Sequence, residues 1–170
     1  GTQFGGLVNF QMNKPDPNEL FEFRTRQTAG SNGLLTSFNS VSGNAGKVGY
    51  YAYYNYKEGN GFRPNSGFQS DNLYLYLDAE LSEKTRLSLD ATYLYYLAQQ
   101  PGGLTDVQFL NNPYQSNRER NWFEVDWRLA SLQLDHRFSF KTRFSLVAFG
   151  LDASRKSVGF RTNRVSQQDD

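Results

Sequence analysis

The stretch Leu73-Tyr74-Leu75-Tyr76-Leu77-Asp78-Ala79-Glu80-Leu81 alternates without a slip. Leu73, Leu75, Leu77, Ala79 and Leu81 fall on one face at a period of two, and Tyr74, Tyr76, Asp78 and Glu80 fall on the other. A four-residue polar link, Ser82-Glu83-Lys84-Thr85, leads into Arg86-Leu87-Ser88-Leu89-Asp90-Ala91-Thr92-Tyr93. There Leu87, Leu89, Ala91 and Tyr93 alternate with Ser88, Asp90 and Thr92, so the two runs make an antiparallel hairpin. One face is free of charge along its whole length. The other carries carboxylates that need water.

The same grammar continues on both sides of the hairpin. Residues 20–29 read as a strand, with Phe21 and Phe23 alternating against Glu22 and Arg24. Gly30-Ser31-Asn32-Gly33 is a turn. A Ser-rich strand over 34–42 is expected to turn at Gly43-Asn44-Ala45-Gly46, followed by a Tyr-rich strand over 48–57 with rings on both faces. Beyond the hairpin, 124–139 and 143–154 give two more long strands separated by Phe140-Lys141-Thr142. In the first, Ala130, Leu132, Leu134 and Phe138 oppose Ser131, Gln133, Asp135 and Arg137. In the second, Phe144, Leu146 and Ala148 compete with Val147, Phe149 and Leu151, and both orientations stay open. That makes about seven strands, many of ten residues or more, where about five or six is ordinary. No helical period stands out.

The links between strands alternate in length. Segments 43–47, 82–85 and 140–142 are short, 58–68 and 99–123 are long, and a further long one opens at Lys156. Only 30–33 breaks the contrast. Short turns at one rim and long loops at the other are the layout of an outer-membrane β-barrel. Ten residues at about 3.3 Å each, tilted near 45°, cross about 23 Å, close to the apolar band of that membrane. Alternation by itself fits a half-buried sheet in a soluble protein equally well; strand length and rim asymmetry favour the membrane. Tyr93, Tyr95 and Tyr96 sit where an interfacial aromatic girdle would lie. Trp122, Phe123 and Trp127 suit either that belt or a binding surface.

Composition narrows the classes. The 170 residues hold 14 Phe, 11 Tyr and 2 Trp, with 18 basic against 17 acidic side chains. A net charge of +1 excludes a generic basic nucleic-acid binder. A mean hydropathy of −0.68 excludes a bundle of membrane-spanning helices, each of which needs roughly 20 apolar residues. The absence of Cys removes disulfides and thiolate sites, and a single His all but removes a histidine-built zinc site. His136 and Asp135 are neighbours on a strand and point to opposite faces, so they cannot form a dyad. Asp78 and Glu80 share a face and imitate an acid–base pair, but lumen-wall charges account for them more simply. No catalytic constellation is found, and the expectation is a non-enzyme without a resident cofactor or metal.

Three passages together resemble TonB-dependent outer-membrane receptors, nearest to the ferric-citrate type of siderophore receptor. The first is Gly1-Thr2-Gln3-Phe4-Gly5-Gly6-Leu7-Val8-Asn9-Phe10-Gln11-Met12-Asn13-Lys14-Pro15, similar to the end of that family's plug domain. The second is Gly59-Asn60-Gly61-Phe62-Arg63-Pro64-Asn65-Ser66, similar to a run in an early outer loop. The third is Gln100-Pro101-Gly102-Gly103-Leu104-Thr105-Asp106-Val107-Gln108-Phe109, similar to a Pro-Gly-Gly-Leu-Thr-x-x-Gln-Phe signature. The resemblance implies an all-β, up-and-down antiparallel transmembrane β-barrel, with residues 1–15 as the end of a plug and 16–170 as roughly the first third of a barrel of about 22 strands. The chain reads as a piece of something longer, with the rest of the plug and its energy-coupling segment expected upstream.

What the resemblance further implies is TonB-dependent uptake of an iron chelate, ferric citrate or a siderophore, across the outer membrane of a Gram-negative bacterium. Implied partners are outer-membrane lipid, lipopolysaccharide, the TonB complex and the chelate, with no nucleic acid; iron would travel only as chelated substrate. A passive porin-like barrel and a soluble β-rich binding or adhesion domain are the competing readings. An anionic chelate calls for cations on the outer loops, with Arg suited to bidentate carboxylate contacts. The candidates are Arg63, Arg118, Arg120, Arg161 and Arg164, with Asn65, Gln100 and Gln115 as neutral hydrogen-bonding partners. Solvated rim charges, near lipopolysaccharide phosphates, are the plainer account of each Arg.

Overall fold

A computed structural model describes residues 11–159. Seven antiparallel strands form one sheet in strict chain order: β1 (Glu22–Ala29), β2 (Leu35–Ala45), β3 (Val48–Gly59), β4 (Phe68–Ser82), β5 (Thr85–Gln99), β6 (Trp122–Arg137) and β7 (Arg143–Val158). One short helix, α1 (Asp106–Asn111), interrupts the β5–β6 link. This is an all-β, up-and-down sheet of the barrel-wall kind. β4 and β5 have 15 residues each, and β6 and β7 have 16. Tight links at 46–47, 83–84 and 138–142 share one rim, while 30–34, 60–67 and 100–121 share the other.

Register carries the alternation from strand to strand. Tyr51 pairs with Tyr76, Tyr76 with Asp90, Asp90 with Ser131 and Ser131 with Phe149, so all lie on one face. One step along, Tyr50, Leu77, Leu89, Leu132 and Ala148 share the other. The same pairing orients β7: Leu146 lies opposite Leu134, and Ala148 opposite Leu132. Phe144, Leu146 and Ala148 therefore join the leucine face, and Val147, Phe149 and Leu151 join the tyrosine face.

Burial is reversed from that of a soluble sandwich. The buried side chains sit on the polar face: Tyr74 is 3% exposed, Tyr76 5% and Tyr51 7%, with Ser40 and Ser42 also buried. These rings pack on one another, Tyr53 stacking on Tyr74 at 5.7 Å and Phe38 lying 5.5 Å from Tyr53. The Tyr74 hydroxyl donates to Asp90, which satisfies the polar end of a buried ring. Leu73, by contrast, is 43% exposed and Leu132 44%. No second layer of described residues covers the leucine face.

Several sequence expectations shift. The β2–β3 turn falls at Gly46-Lys47, and Gly43, Asn44 and Ala45 stay in the strand. Gly43 is needed there because a Cβ would lie 2.2 Å from the Leu20 carbonyl oxygen. Tyr96 pairs with Ser70 and Val125 on the tyrosine face, so only Tyr93 and Tyr95 belong to an outward girdle. Phe138 lies past the end of β6, its ring 4.5 Å from that of His136. α1 was absent from the sequence reading. Its Thr105 cap accepts from the Gln108 N–H, and the Gln108 side chain accepts from the Thr105 N–H, a reciprocal capping box legible in Thr-x-x-Gln.

Candidate functional site

The chemistry of this sheet is sorted by face and by height. Towards the tight-turn rim, the tyrosine face holds Asp78, Glu80 and Arg86 together. The Arg86 guanidinium lies 3.2 Å from Asp78 and 3.5 Å from Glu80, and Ser88 donates to Asp78 at 3.2 Å. The two carboxylates thus share one guanidinium. His136 is a strand-end residue on the opposite face, within 2.9 Å of the Thr85 hydroxyl.

Above the Tyr76–Asp90 row, the tyrosine face changes character. Registered rows place Arg24, Arg26, Lys57 and Arg155 there, among Ser, Thr, Asn, aromatic and aliphatic side chains, with no carboxylate on β1–β7 at that height. Arg24 reaches down to Glu22 at 2.7 Å, and Arg155 lies over the Phe123 ring at 4.5 Å. Phe123 and Trp127 also face this side, while Trp122 faces the other. A hollow of about 730 Å³ opens below, between Asn13, Lys14 and Asp16 and the wall at Arg24, Arg26, Ser40 and Tyr51. Lys14 sits over the Tyr76 ring at 5.2 Å, so this N-terminal stretch lies on the tyrosine face.

The leucine face at the same height is acidic instead. It carries Glu58, Asp71, Glu124, Asp126 and Asp152 against Arg128 and Lys156. Arg128 bridges Asp126 at 2.9 Å and Asp152 at 3.6 Å, and Lys156 pairs with Glu124 at 2.8 Å. Tyr54 and Tyr93 share the Leu73 row with Arg128 and Asp152, and Tyr56 and Tyr95 share the next row up with Asp71 and Asp126. This face thus passes from an aliphatic band to rows that mix tyrosine with charge.

The loop candidates separate into fastened and open residues. Arg63 is half-buried and donates to the Gly102 carbonyl at 2.5 Å and to the Gln115 carbonyl at 3.4 Å. The Asn65 amide faces the carbonyls of Gln100 and Asn121, each at 3.2 Å, and that of Arg118. The Gln100 N–H donates to the Asn121 carbonyl at 2.9 Å, closing the neck of the loop. Gln115 donates through its side chain to the Gln108 carbonyl at 2.7 Å. Arg118 donates to the Asn117 carbonyl at 2.8 Å and is half-buried. Arg120 is exposed. Arg161, Arg164 and the Gly5–Phe10 junction lie outside the described residues. Arg24, Arg26, Lys57 and Arg155 were not among the sequence candidates; only the pairing register places them on the face of Tyr74.

No protein-family model matches the chain, and no curated protein matches it. Among solved structures it is similar to the ferric citrate transporter FecA in its unliganded form, at 20% identity and a TM-score of 0.66. The match covers 86% of this chain and 23% of that one. Likeness at that identity is likeness of fold: these seven strands are a stretch of barrel wall of the kind found in that transporter.

Proposed function

We propose that this chain is part of the wall of an outer-membrane receptor for TonB-dependent uptake of an iron chelate, ferric citrate or a siderophore. One observation carries the reading. In the long-loop half of the sheet, the inward face holds Arg24, Arg26, Lys57 and Arg155 without a carboxylate, while the acids of that height face outward. An inward surface of one sign, bounded by a low-dielectric wall, concentrates anions and raises their entry rate by about 10- to 1,000-fold. A multiply carboxylated iron chelate is such an anion. The aliphatic band faces lipid, and the collar of tyrosines and charges above it faces lipopolysaccharide. The protein's part is capture and passage, with iron as cargo and no covalent step at the wall.

The test is uptake of radiolabelled ferric citrate by Gram-negative cells producing the full-length receptor. Lys57→Glu with Arg155→Glu is expected to raise the half-saturating concentration at least tenfold, while the outward reversal Glu58→Lys leaves it unchanged. Equal uptake by the inward double variant and the parent would overturn the reading. Uptake that persists without TonB would replace it with a passive barrel.

A further inference from the structure

We infer that Arg63 and Asn65 are positioning residues that staple the 100–121 loop shut, so that both outer loops move as one platform. The relevance of this platform to capture rests on the proposed uptake function; the staple itself does not. The 100–121 loop leaves β5, runs through α1 and returns to β6, so it has an outgoing and a returning limb. Arg63 donates to one carbonyl on each, Gly102 going out and Gln115 coming back. Asn65 does the same one rung lower, facing Gln100 on the outgoing limb and Arg118 and Asn121 on the returning one. Two side chains of one short loop therefore cross-link both limbs of the other, more than thirty residues away in sequence.

The local backbone is shaped for this. Asn65 holds φ of +55°, a left-handed conformation that Asn tolerates, which aims its amide across the neck. Gly102 holds φ of +77°, and a Cβ there would sit 2.7 Å from Cγ of Arg118, so the limbs approach as closely as only Gly allows. Asn117 adds a rung of its own, its N–H donating to the Pro101 carbonyl and its amide to the Gly103 carbonyl, both at 2.8 Å. Phe62 meets Tyr114 edge-on at 6.4 Å above the staple. A guanidinium bound to two main-chain carbonyls is held in place by protein through two of its five N–H donors. Arg63 thus serves to place Arg118 and the exposed Arg120 over the barrel mouth.

These 170 residues have no Cys, and any Cys elsewhere in the full-length receptor is first replaced by Ser so that paired labels are placed cleanly. Nitroxides at Pro64→Cys and Asn111→Cys of the full-length receptor, in native outer-membrane vesicles, report the loop-to-loop distance by pulsed electron resonance. The parent is expected to give one narrow distribution, Arg63→Gln or Asn65→Ala a broader one, and the pair of substitutions at least a doubling of its width. Arg120→Gln is expected to leave the width alone. In the same vesicles, ferric citrate binding should weaken about tenfold with the double variant, and restoring a cation with Arg63→Lys should not recover it, because an ammonium cannot reach both carbonyls. An unchanged width in the double variant overturns the staple, as does lost binding at unchanged width, which would make Arg63 a ligand contact. If ferric citrate does not bind the parent, the uptake proposal fails, and the distance distributions still decide the staple. Should the double variant fail to assemble, each single variant carries the same comparison.

Discussion

Replacing Leu132 by Arg separates a lipid-facing wall from any water-facing or protein-covered one. Four registered rows, those of Leu73, Leu75, Leu77 and Ala79, make up the aliphatic band on that face, with Leu81 beyond them at a bulge, and Leu132 lies in the Leu77 row with Leu89 and Ala148. The eight steps from Leu73 to Leu81 rise about 26 Å along the strand, which at a tilt near 40–45° is about 19 Å across the bilayer. Leu132 therefore sits near the midplane, too deep for an Arg to reach either interface at full extension without distortion. An Arg there costs roughly 2–4 kcal/mol. At tenfold per 1.4 kcal/mol, the folding equilibrium falls about 30- to 700-fold. The neighbour Ser131 has the opposite parity and pairs with Asp90, so Ser131→Arg places the same charge beside a carboxylate on the wet face. The assay is guanidinium unfolding of the full-length protein from lipid vesicles, comparing the two variants with Leu132→Ala to subtract lost side-chain volume. Equal destabilisation by Leu132→Arg and Ser131→Arg would refute the assignment of faces. So would Leu132→Arg costing no more than Leu132→Ala.

Two local features give further expectations. Gly43→Ala drives a Cβ to within 2.2 Å of the Leu20 carbonyl oxygen, and should cost on the order of 1–3 kcal/mol, read from the same unfolding curves, whereas Gly46→Ala meets no neighbouring atom and is limited to the cost of its positive φ. Thr105→Ala removes the α1 cap, worth about 1 kcal/mol, and should speed amide exchange over 106–111 about fivefold with no change in the strands. Unchanged exchange there would mean that the loop staple, not the cap, holds the helix.

The hairpin from Leu73 to Tyr93 was legible because everything that defines it is local: a period-two pattern, a polar link, and a one-residue slip that would turn every Leu to the wrong side. The up-and-down path and the one-sided loops followed from the spacing of such runs. Strand ends ran further than the pattern, as β5 did to Gln99, because the wall continues above the aliphatic band, where both faces carry polar and aromatic side chains and the alternation of apolar residues fades. β7 was not legible alone, since both of its parities are apolar. Only its ladder to β6 puts Leu146 and Ala148 on the leucine face and Phe149 on the tyrosine face.

The candidate site divides along the same line. Residue types directed attention to Arg, Asn and Gln in the outer loops, and Gly102 and Thr105-x-x-Gln108 carried their turn and cap in plain view. What each loop side chain touches depends on carbonyls far along the chain, such as Gln115 for Arg63 and Asn121 for Asn65. Main-chain carbonyls have no residue identity to read, so no pattern announces such partners. Sequence determined the strands, their alternation and the stock of charges. Tertiary register decided which charges share the tyrosine face and which share the leucine face, because strand parity has no sign until a neighbour fixes it.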